Sequence, residues 1–220
     1  MAIRTRINAS EITEKVSQLC MDANFNLNED VLDALRDSYE AEGSPVAKEV
    51  FAELLENAKI AHECQMPLCQ DTGVAVVFVE IGEYVEVVDG RLYDAIHEGI
   101  REGYKKGFLR KSMVKDPLNR INTGDNTPAI IHTEFTSENY LKITFMAKGG
   151  GCENMSRLAM LTPADGREGV INFVVETVKI AKANPCPPII VGVGMGGTFD
   201  YAALLAKKSL LRPLGTKHVD

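Results

Sequence analysis

The sequence contains no run of about 18 apolar residues, the length that a helix needs to cross a bilayer. Its opening residues, MAIRTRINASEITEKV, lack the apolar core of a secretory signal and soon become acidic. The sequence therefore predicts neither a membrane-spanning helix nor a targeting segment, and the cytoplasm is the expected location. Tryptophan is also absent, which by itself excludes no function.

Cysteine is scarce and odd in number, with five residues at Cys20, Cys64, Cys69, Cys152 and Cys186. An odd count without a secretory signal argues against a disulfide framework and favours free thiols or metal ligands. Cys20 and Cys64 fall in helical stretches with no loop chemistry around them. We expect both of these to be structural residues.

The sequence also lacks a basic excess. Its 24 Lys and Arg residues stand against 31 Asp and Glu residues, which gives a net charge of −7. A protein that binds nucleic acid needs a basic face for the phosphates, so this balance argues against a nucleic-acid partner. A few local cations can still bind a small anion inside an acidic protein.

The 220 residues, with 45% hydrophobic and 25% charged, are typical of one large soluble domain. Residues 1–65 are predicted to form a helical layer, with helix starts at Ser10, at Asn28 and at the turn Gly43-Ser44-Pro45. Strands are predicted at 74–80, 129–133, 141–146 and 188–193, and helices at 92–106, 168–183 and 200–211. The pattern thus predicts an α+β fold in a single domain over 1–220, with the helical layer packed on an α/β core with a mixed sheet.

Three of the cysteines share an unusual setting at junctions between loops and regular structure. Cys69 lies in PLCQDTG before a predicted strand, Cys152 lies in KGGGCENMS after one, and Cys186 lies in NPCPP before another. Soft thiolates at such positions suit an iron–sulfur cluster or zinc. Three ligands rather than four would leave one metal position open, as catalysis requires.

Plainer interpretations stay open at this point for each motif. An isolated cysteine is most often a small buried hydrophobe, and the gaps between these three match no compact metal pattern.

The segment at 192–197, GVGMGG, fits a dinucleotide fingerprint formally, but no second strand or ribose-binding acid follows it. A tight turn with a local anion site at a helix start is the better interpretation of these glycines. GDNTP at 124–128 favours a simple turn. His62, His97 and His132 show no mutual metal spacing, and structural roles are favoured for each of them.

Taken together, these segments resemble the N-terminal subunit of class I iron–sulfur fumarate hydratases and the related L-tartrate dehydratases. The matching stretches are PLCQDTG, LRKS at 109–112, GDNTPA, KGGGCENMS, NPCPPIIVGVGMGGTF and AKKSLLRP at 206–213. Three separate cysteine motifs in this order, over nearly the whole chain, are a specific signal. The resemblance implies a hydro-lyase that reversibly hydrates fumarate, or a related enedioate, to a 2-hydroxy dicarboxylate.

The resemblance also implies a site. A four-iron, four-sulfur cluster would be held by Cys69, Cys152 and Cys186, with one iron open to substrate. Gln70, Asp71 and Arg110 would line the substrate site, and Asp71 is the candidate catalytic residue of this chain. Arginine offers a planar fork to a carboxylate, and Gln and Asp can hydrogen-bond a hydroxyl.

Two departures qualify the resemblance. The family's subunit continues past AKKSLLRP into a further glycine-rich stretch, so we interpret this sequence as truncated at its C-terminus. The family's proton-abstracting residue belongs to a C-terminal (beta) subunit, so we expect the chain to be active only in a hetero-oligomer with that subunit. The alternatives are an L-tartrate dehydratase alpha subunit, a non-catalytic iron–sulfur or zinc-binding structural partner, and, on the glycine loop alone, a nucleotide-binding oxidoreductase.

Overall fold

The computed structural model describes residues 4–218, and their contacts divide the chain into two compact units between Gly149 and Gly150. The first unit contains, in chain order, β1 (Thr5–Asn8), α1 (Ala9–Phe25), α2 (Glu29–Ala41), α3 (Pro45–Cys64), β2 (Val74–Gly82), β3 (Val85–Val88), α4 (Leu92–Lys106), β4 (Ile130–Thr136) and β5 (Leu141–Lys148). The second unit contains α5 (Gly150–Glu153), α6 (Gly166–Ala181) and α7 (Phe199–Ser209). The predicted α+β class is confirmed, while the single-domain interpretation stays a prediction.

The first helix begins earlier than predicted. Asn8, not Ser10, is its N-cap, because the Asn8 side chain accepts the Ser10 backbone N–H at 3.1 Å. Asn8 also ends β1, which pairs in parallel with β3. A four-residue strand is too short for sequence periodicity to reveal, so the prediction of helices alone over the first 65 residues is wrong there.

The starts of the second and third helices are confirmed. Asn28 is the N-cap of α2, and the Ser44 hydroxyl accepts the Ala47 backbone N–H at the start of α3. Pro45 follows Ser44 because the first helical position needs no backbone donor. Val46 and Val50 on α3 are exposed, so these two apolar residues do not pack in the core.

The central sheet is mixed, as predicted, with strand order β4-β2-β5. Its middle strand β2 pairs in parallel with β4 and antiparallel with β5. β2 is apolar because its middle residues are buried on both faces. The register places Val74, the first residue of β2, opposite Lys148, the last residue of β5.

The main core lies between this sheet and the helices α1 and α4. Its fully buried members include Val16 and Cys20 on α1, Val77 on β2, and Ile96 and Ile100 on α4. The two helices approach closely because α4 carries glycines where they touch: a Cβ at Gly103 would lie 2.7 Å from that of Cys20.

The two cysteines that were expected to be structural behave differently. Cys20 is structural as predicted, and its burial raises the pKa of its thiol well above the ordinary value. Cys64, the last residue of α3, is exposed, so it does not contribute to the core.

The second unit has little core of its own. Of its described residues, 150–218, only Ala181 is buried. The strand predicted at 188–193 is wrong, since this segment is irregular and takes part in no ladder of the described chain. Gly192 and Gly194 lie against α7, where a Cβ would collide with the carbonyl oxygens of Ala206 and Ala202. A helix is therefore the neighbour of this segment, and Ile190 and Val191 are about half exposed.

None of the helices in residues 4–218 is both long enough and apolar enough to cross a membrane.

Candidate functional site

The Cys69 loop connects the end of α3 to β2 and is fixed by backbone contacts. Leu68 donates its N–H to the carbonyl of Asn24 at 2.8 Å, and the Asn57 amide donates to the carbonyl of Leu68 at 2.9 Å. Cys69 and Gln70 are exposed just after this anchor. The loop thus presents a thiol and an amide side chain to solvent from a held backbone.

Asp71 turns the chain back toward the sheet. Its backbone N–H points at the Cys69 Sγ at 3.4 Å, and its Oδ1 accepts the Gly73 N–H at 3.1 Å. Gly73 has a φ of +74°, and a Cβ there would lie 2.7 Å from the backbone of Lys148. Glycine is required at this position, because both its backbone conformation and the close approach of β5 exclude a side chain.

Arg110 belongs to a segment that is joined directly to this loop. The Thr72 hydroxyl donates to the Arg110 carbonyl at 2.8 Å, and the Tyr104 hydroxyl donates to the carbonyl of Thr72 at 2.7 Å. Burial raises the pKa of Tyr104, so its hydroxyl remains a proton donor across the physiological range. The Arg110 side chain is exposed while its backbone is held.

Asn126 joins the same loop and segment a second time, from inside the protein. It is fully buried, its Oδ1 accepts the N–H groups of Ser112 at 2.7 Å and Met113 at 3.1 Å, and its Nδ2 donates to the Gly73 carbonyl at 3.2 Å. Two donors face Oδ1, so the amide can take only this orientation. Its φ of 62° is left-handed, a conformation that asparagine tolerates better than most residues.

Three of the sequence motifs therefore meet in the first unit: the QDTG loop, the LRKS segment and the GDNTP turn. The predicted substrate residues Gln70, Asp71 and Arg110 lie on two of these segments. The sequence analysis missed Thr72, Tyr104 and Asn126, which hold the segments together. An asparagine between Asp and Thr-Pro favours an exposed turn by its sequence, and only its burial reveals the different role.

The other two predicted cluster ligands lie in the second unit, where their loops touch. A Cβ on Gly151 would lie 2.9 Å from the carbonyl oxygen of Asn184, and the Asn184 amide contacts the Met155 sulfur at 3.5 Å. Cys152 is half-buried on the short helix α5, whereas Cys186 is exposed with a left-handed φ of 56°. The structure thus brings the Cys152 and Cys186 loops together within this unit.

An ion pair fixes α5 within the second unit. The Lys207 ammonium on α7 lies 2.5 Å from the carboxylate of Glu153, which follows Cys152 directly. The ammonium is largely shielded from solvent, with 23% of its side chain exposed. The helix that carries Cys152 is therefore tied to α7.

The glycine loop before α7 does not have the features of a nucleotide site. The element directly before it in the described chain is the helix α6, not a strand, so the strand–loop–helix order of a dinucleotide fingerprint is missing. A carboxylate of the protein itself, that of Asp200, already interacts with the start of α7. The pKa of Asp200 is lowered, first by a hydrogen bond from Thr198 and then by backbone N–H groups. An anion bound at the start of α7 would therefore compete with the Asp200 carboxylate.

The three predicted cluster ligands are divided between the two units, with Cys69 in the first and Cys152 and Cys186 in the second. Among residues 4–218, neither unit by itself contains a group of three or more His, Cys, Asp or Glu side chains that could hold a metal ion. The three-cysteine ligand set stays a prediction.

Comparison with known proteins gives a consistent answer. The family model described as Fumarate hydratase (Fumerase) matches residues 13–220. A protein of Methanocaldococcus jannaschii named "Putative L(+)-tartrate dehydratase subunit alpha" is 43% identical over 216 residues, covering 96% of this chain and 75% of its own length. The "L(+)-tartrate dehydratase subunit alpha" of Escherichia coli K12 is 32% identical over 213 residues, covering 95% of this chain and 70% of its own.

Proposed function

The chain belongs to the Fumarate hydratase (Fumerase) family, and on that basis we propose that it is the alpha-type subunit of a hydro-lyase. The reaction is the reversible addition of water to fumarate or a related enedioate, which gives a 2-hydroxy dicarboxylate. One observation carries this proposal: the loop with Gln70 and Asp71 is hydrogen-bonded directly to the Arg110 segment at 2.8 Å. A carboxylate-binding cation and two hydroxyl-binding groups are thereby held on connected backbone.

A second substrate is favoured by the relatives. Both of the similar proteins described above are named as tartrate dehydratase subunits, so L(+)-tartrate is the second candidate. The reaction type is the same, because water is again removed from a hydroxy diacid. A single hydroxyl or methyl group changes the fit in a pocket by only a few kcal/mol, and an assay on both diacids distinguishes the two substrates.

The cysteine loops suit an iron–sulfur cluster. Cys69 and Cys186 are exposed on loops, and the N–H of Asp71 is aimed at the Cys69 sulfur, the kind of outer contact that orients a metal ligand. Cys152 completes the proposed set, and its inclusion is supported by its motif and by its proximity to the Cys186 loop. When bound, a four-iron, four-sulfur cluster with one open iron supplies a Lewis acid for the carbon–oxygen bond.

The side chains of this chain have binding and orienting roles. The Arg110 guanidinium binds one substrate carboxylate through two parallel hydrogen bonds. Gln70 and Asp71 hydrogen-bond the substrate hydroxyl, and the Gly73 N–H holds the Asp71 carboxylate in a fixed orientation for that contact. Asp71 is the candidate catalytic residue for a proton on oxygen. It is poorly suited to take a proton from carbon, because it follows the cluster ligand so closely.

The base that removes the proton from carbon is assigned to a partner subunit. The name "subunit alpha" implies that the relatives work with at least one other subunit. In the second unit, Val175 and Val178 on α6 and Val193 expose apolar side chains. Apolar surface of this kind is typical of faces that another protein covers. We therefore assign the complete activity to a hetero-oligomer with a beta subunit, located in the cytoplasm.

The proposal is tested by producing the chain anaerobically, alone and together with candidate beta subunits. Each preparation is assayed for loss of water from malate, L(+)-tartrate and a methylated 2-hydroxy diacid. We expect turnover only from the iron-loaded complex. Turnover by the isolated chain would move the base into this subunit, and an iron-loaded complex that acts on none of these diacids would overturn the hydro-lyase assignment.

A structural or sensing partner that binds iron–sulfur or zinc is the alternative from another class. The two proposals differ in metal content and in colour. A cluster gives broad absorption near roughly 400 nm with about four irons per chain, whereas a zinc protein is colourless. An iron-loaded complex without turnover would favour the structural role.

A further inference from the structure

We infer that Asn126 is a positioning residue, which sets the placement of the Asp71 carboxylate relative to the Arg110 segment. The inference rests on the proposed function, since it assigns a task to a residue that contacts neither the substrate nor the cluster in that proposal. The two amide atoms of Asn126 join both segments. Its role is therefore to keep the Asp71 carboxylate and the Arg110 segment at a fixed distance from each other.

The first argument concerns burial and hydrogen bonding. Asn126 is fully buried, and a buried amide that lacks hydrogen-bond partners is destabilising. Both of its polar atoms are in fact paired, and all three partners are backbone groups of the two segments. A residue that only stabilised its own turn would bond within that turn. The Oδ1 of Asp125 bonds in that local way, because it accepts from the backbone and hydroxyl of Thr127, while its Oδ2 accepts from Arg101 on α4.

The second argument concerns the direction of each link. The Asn126 oxygen accepts from the N–H groups of Ser112 and Met113, just after Arg110, and its nitrogen donates to the carbonyl of Gly73, just after Asp71. Movement of either segment would therefore stretch a bond to the same rigid amide. Such fixed geometry matters in catalysis, because a displacement of about 1 Å can cost roughly 100-fold in rate.

The two links can be separated by mutation. Asn126→Asp keeps an acceptor for the N–H groups of Ser112 and Met113, but the ionised carboxylate has no donor for the Gly73 carbonyl. Asn126→Ala removes both links. Asn122→Ala is the matched control, because Asn122 lies in the same loop and donates to the Lys111 carbonyl at 2.8 Å without reaching Gly73.

The first measurement is amide hydrogen exchange in the full iron-free chain, which requires neither a cluster nor turnover. Asn126→Asp should raise exchange at Asp71 and Gly73 several-fold while the amides of Ser112 and Met113 stay protected. Asn126→Ala should raise exchange in both segments, and Asn122→Ala should leave Asp71 and Gly73 unchanged. If Asn126→Ala does not fold, the Asn126→Asp variant decides the question alone. Unchanged exchange at Asp71 and Gly73 in Asn126→Asp would overturn the inference.

The second measurement is steady-state kinetics of the assembled, iron-loaded complex. Asn126→Asp should lower kcat/KM by about 100-fold, mostly through kcat, with the iron content per chain unchanged. A purely structural role would instead lower the amount of folded enzyme and leave kcat per iron-loaded site intact, and that result would also overturn the inference. If the wild-type complex shows no turnover, the proposed function fails, while the exchange experiment still decides the role of Asn126.

Discussion

The two units of this chain differ in how far they bury their apolar side chains. In the first unit, Ile96 and Ile100 on α4 are fully buried against α1 and the sheet. In the second unit, Ala181 on α6 is the only buried residue of the described range 150–218. The first unit thus has a core of its own, whereas the second unit presents apolar faces of the kind that a partner covers.

The same contrast holds for the functional residues. In the first unit, the Asp71 loop and the Arg110 segment are linked twice, once through Thr72 and once through Asn126. In the second unit, Cys186 is an exposed thiol on a loop that contacts the Cys152 loop through Asn184. The comparison indicates that the proposed substrate-binding groups lie on a well-packed scaffold, while the second unit contributes the proposed thiol ligands on a less buried one.

The largest expected effect is loss of the cluster, and it is tested with one proposed ligand from each unit. Cys69→Ala and Cys186→Ala should each lower iron from about four per chain to nearly none and abolish turnover. Cys64→Ala, at an exposed thiol outside the proposed set, is the control and should keep its iron. Iron, sulfide and visible absorption are measured after anaerobic reconstitution.

Cys152→Ala tests the proposed ligand whose setting differs from the other two, because Cys152 is half-buried on a helix rather than exposed on a loop. As a ligand, it should match Cys186→Ala in its iron content. Four irons retained in Cys152→Ala would remove it from the ligand set. Four irons retained in the Cys69 or Cys186 variant would contradict the cluster proposal itself.

The next effect concerns stability. Ile100→Ala in the first unit should lower the free energy of unfolding by about 2–5 kcal/mol, because it leaves a cavity in a closed core. Val175→Ala in the second unit removes a side chain that is 45% exposed, so a change within about 0.5 kcal/mol is expected. Urea denaturation of the isolated chain measures both. Equal losses would show that the two units bury their apolar residues equally well.

A smaller effect is expected for Arg110→Lys in the first unit. Ammonium cannot hold a carboxylate through two parallel bonds as guanidinium does, a difference of about 1–3 kcal/mol at a desolvated site. The measurement is kcat/KM of the reconstituted complex. Arg91→Lys changes an arginine whose side chain is 88% exposed and should have no effect. The same kcat/KM for both variants would reassign Arg110 to the solvated surface.

The smallest effect is a pH dependence of stability at Asp125. Burial alone would raise the pKa of Asp125, but hydrogen bonds from Thr127 and Arg101 outweigh it and lower the pKa to about 2 from 3.8. A lowered folded-state pKa stabilises the protein above about pH 4, and this contribution is lost as the pH falls toward about 2. Solvent screening limits it to less than about 1 kcal/mol, since 36% of the side chain is exposed.

Asp125→Asn should therefore destabilise the protein at pH 7 and have less effect at pH 3, as measured by urea denaturation at each pH. Asp200→Asn in the second unit is the matched comparison, since the pKa of Asp200 is lowered in the same direction but at an exposed position. An Asp125→Asn effect that is equal at both pH values would show that the carboxylate is not held in its charged form.

Much of the first unit could be predicted from the sequence. The bounds of α4 match the predicted helix over 92–106, because a charged face and an apolar face alternate with helical period there. β2 was predicted from its run of β-branched residues. The strand predicted at 188–193 failed, because the same apolar composition lies against α7 through Gly192 and Gly194 instead of pairing with a strand.

For the candidate site too, one part could be predicted from the sequence and another part required the structure. The sequence alone determined the residue types that can bind iron and carboxylates, at Cys69, Cys186 and Arg110, because these depend on side-chain chemistry and local motif. Only the tertiary structure showed that Asn126 is buried and joins the Asp71 loop to the Arg110 segment. Hydrogen bonds between residues 53 positions apart in the chain leave no local pattern, so they arise from folding and cannot be derived from the sequence around either partner.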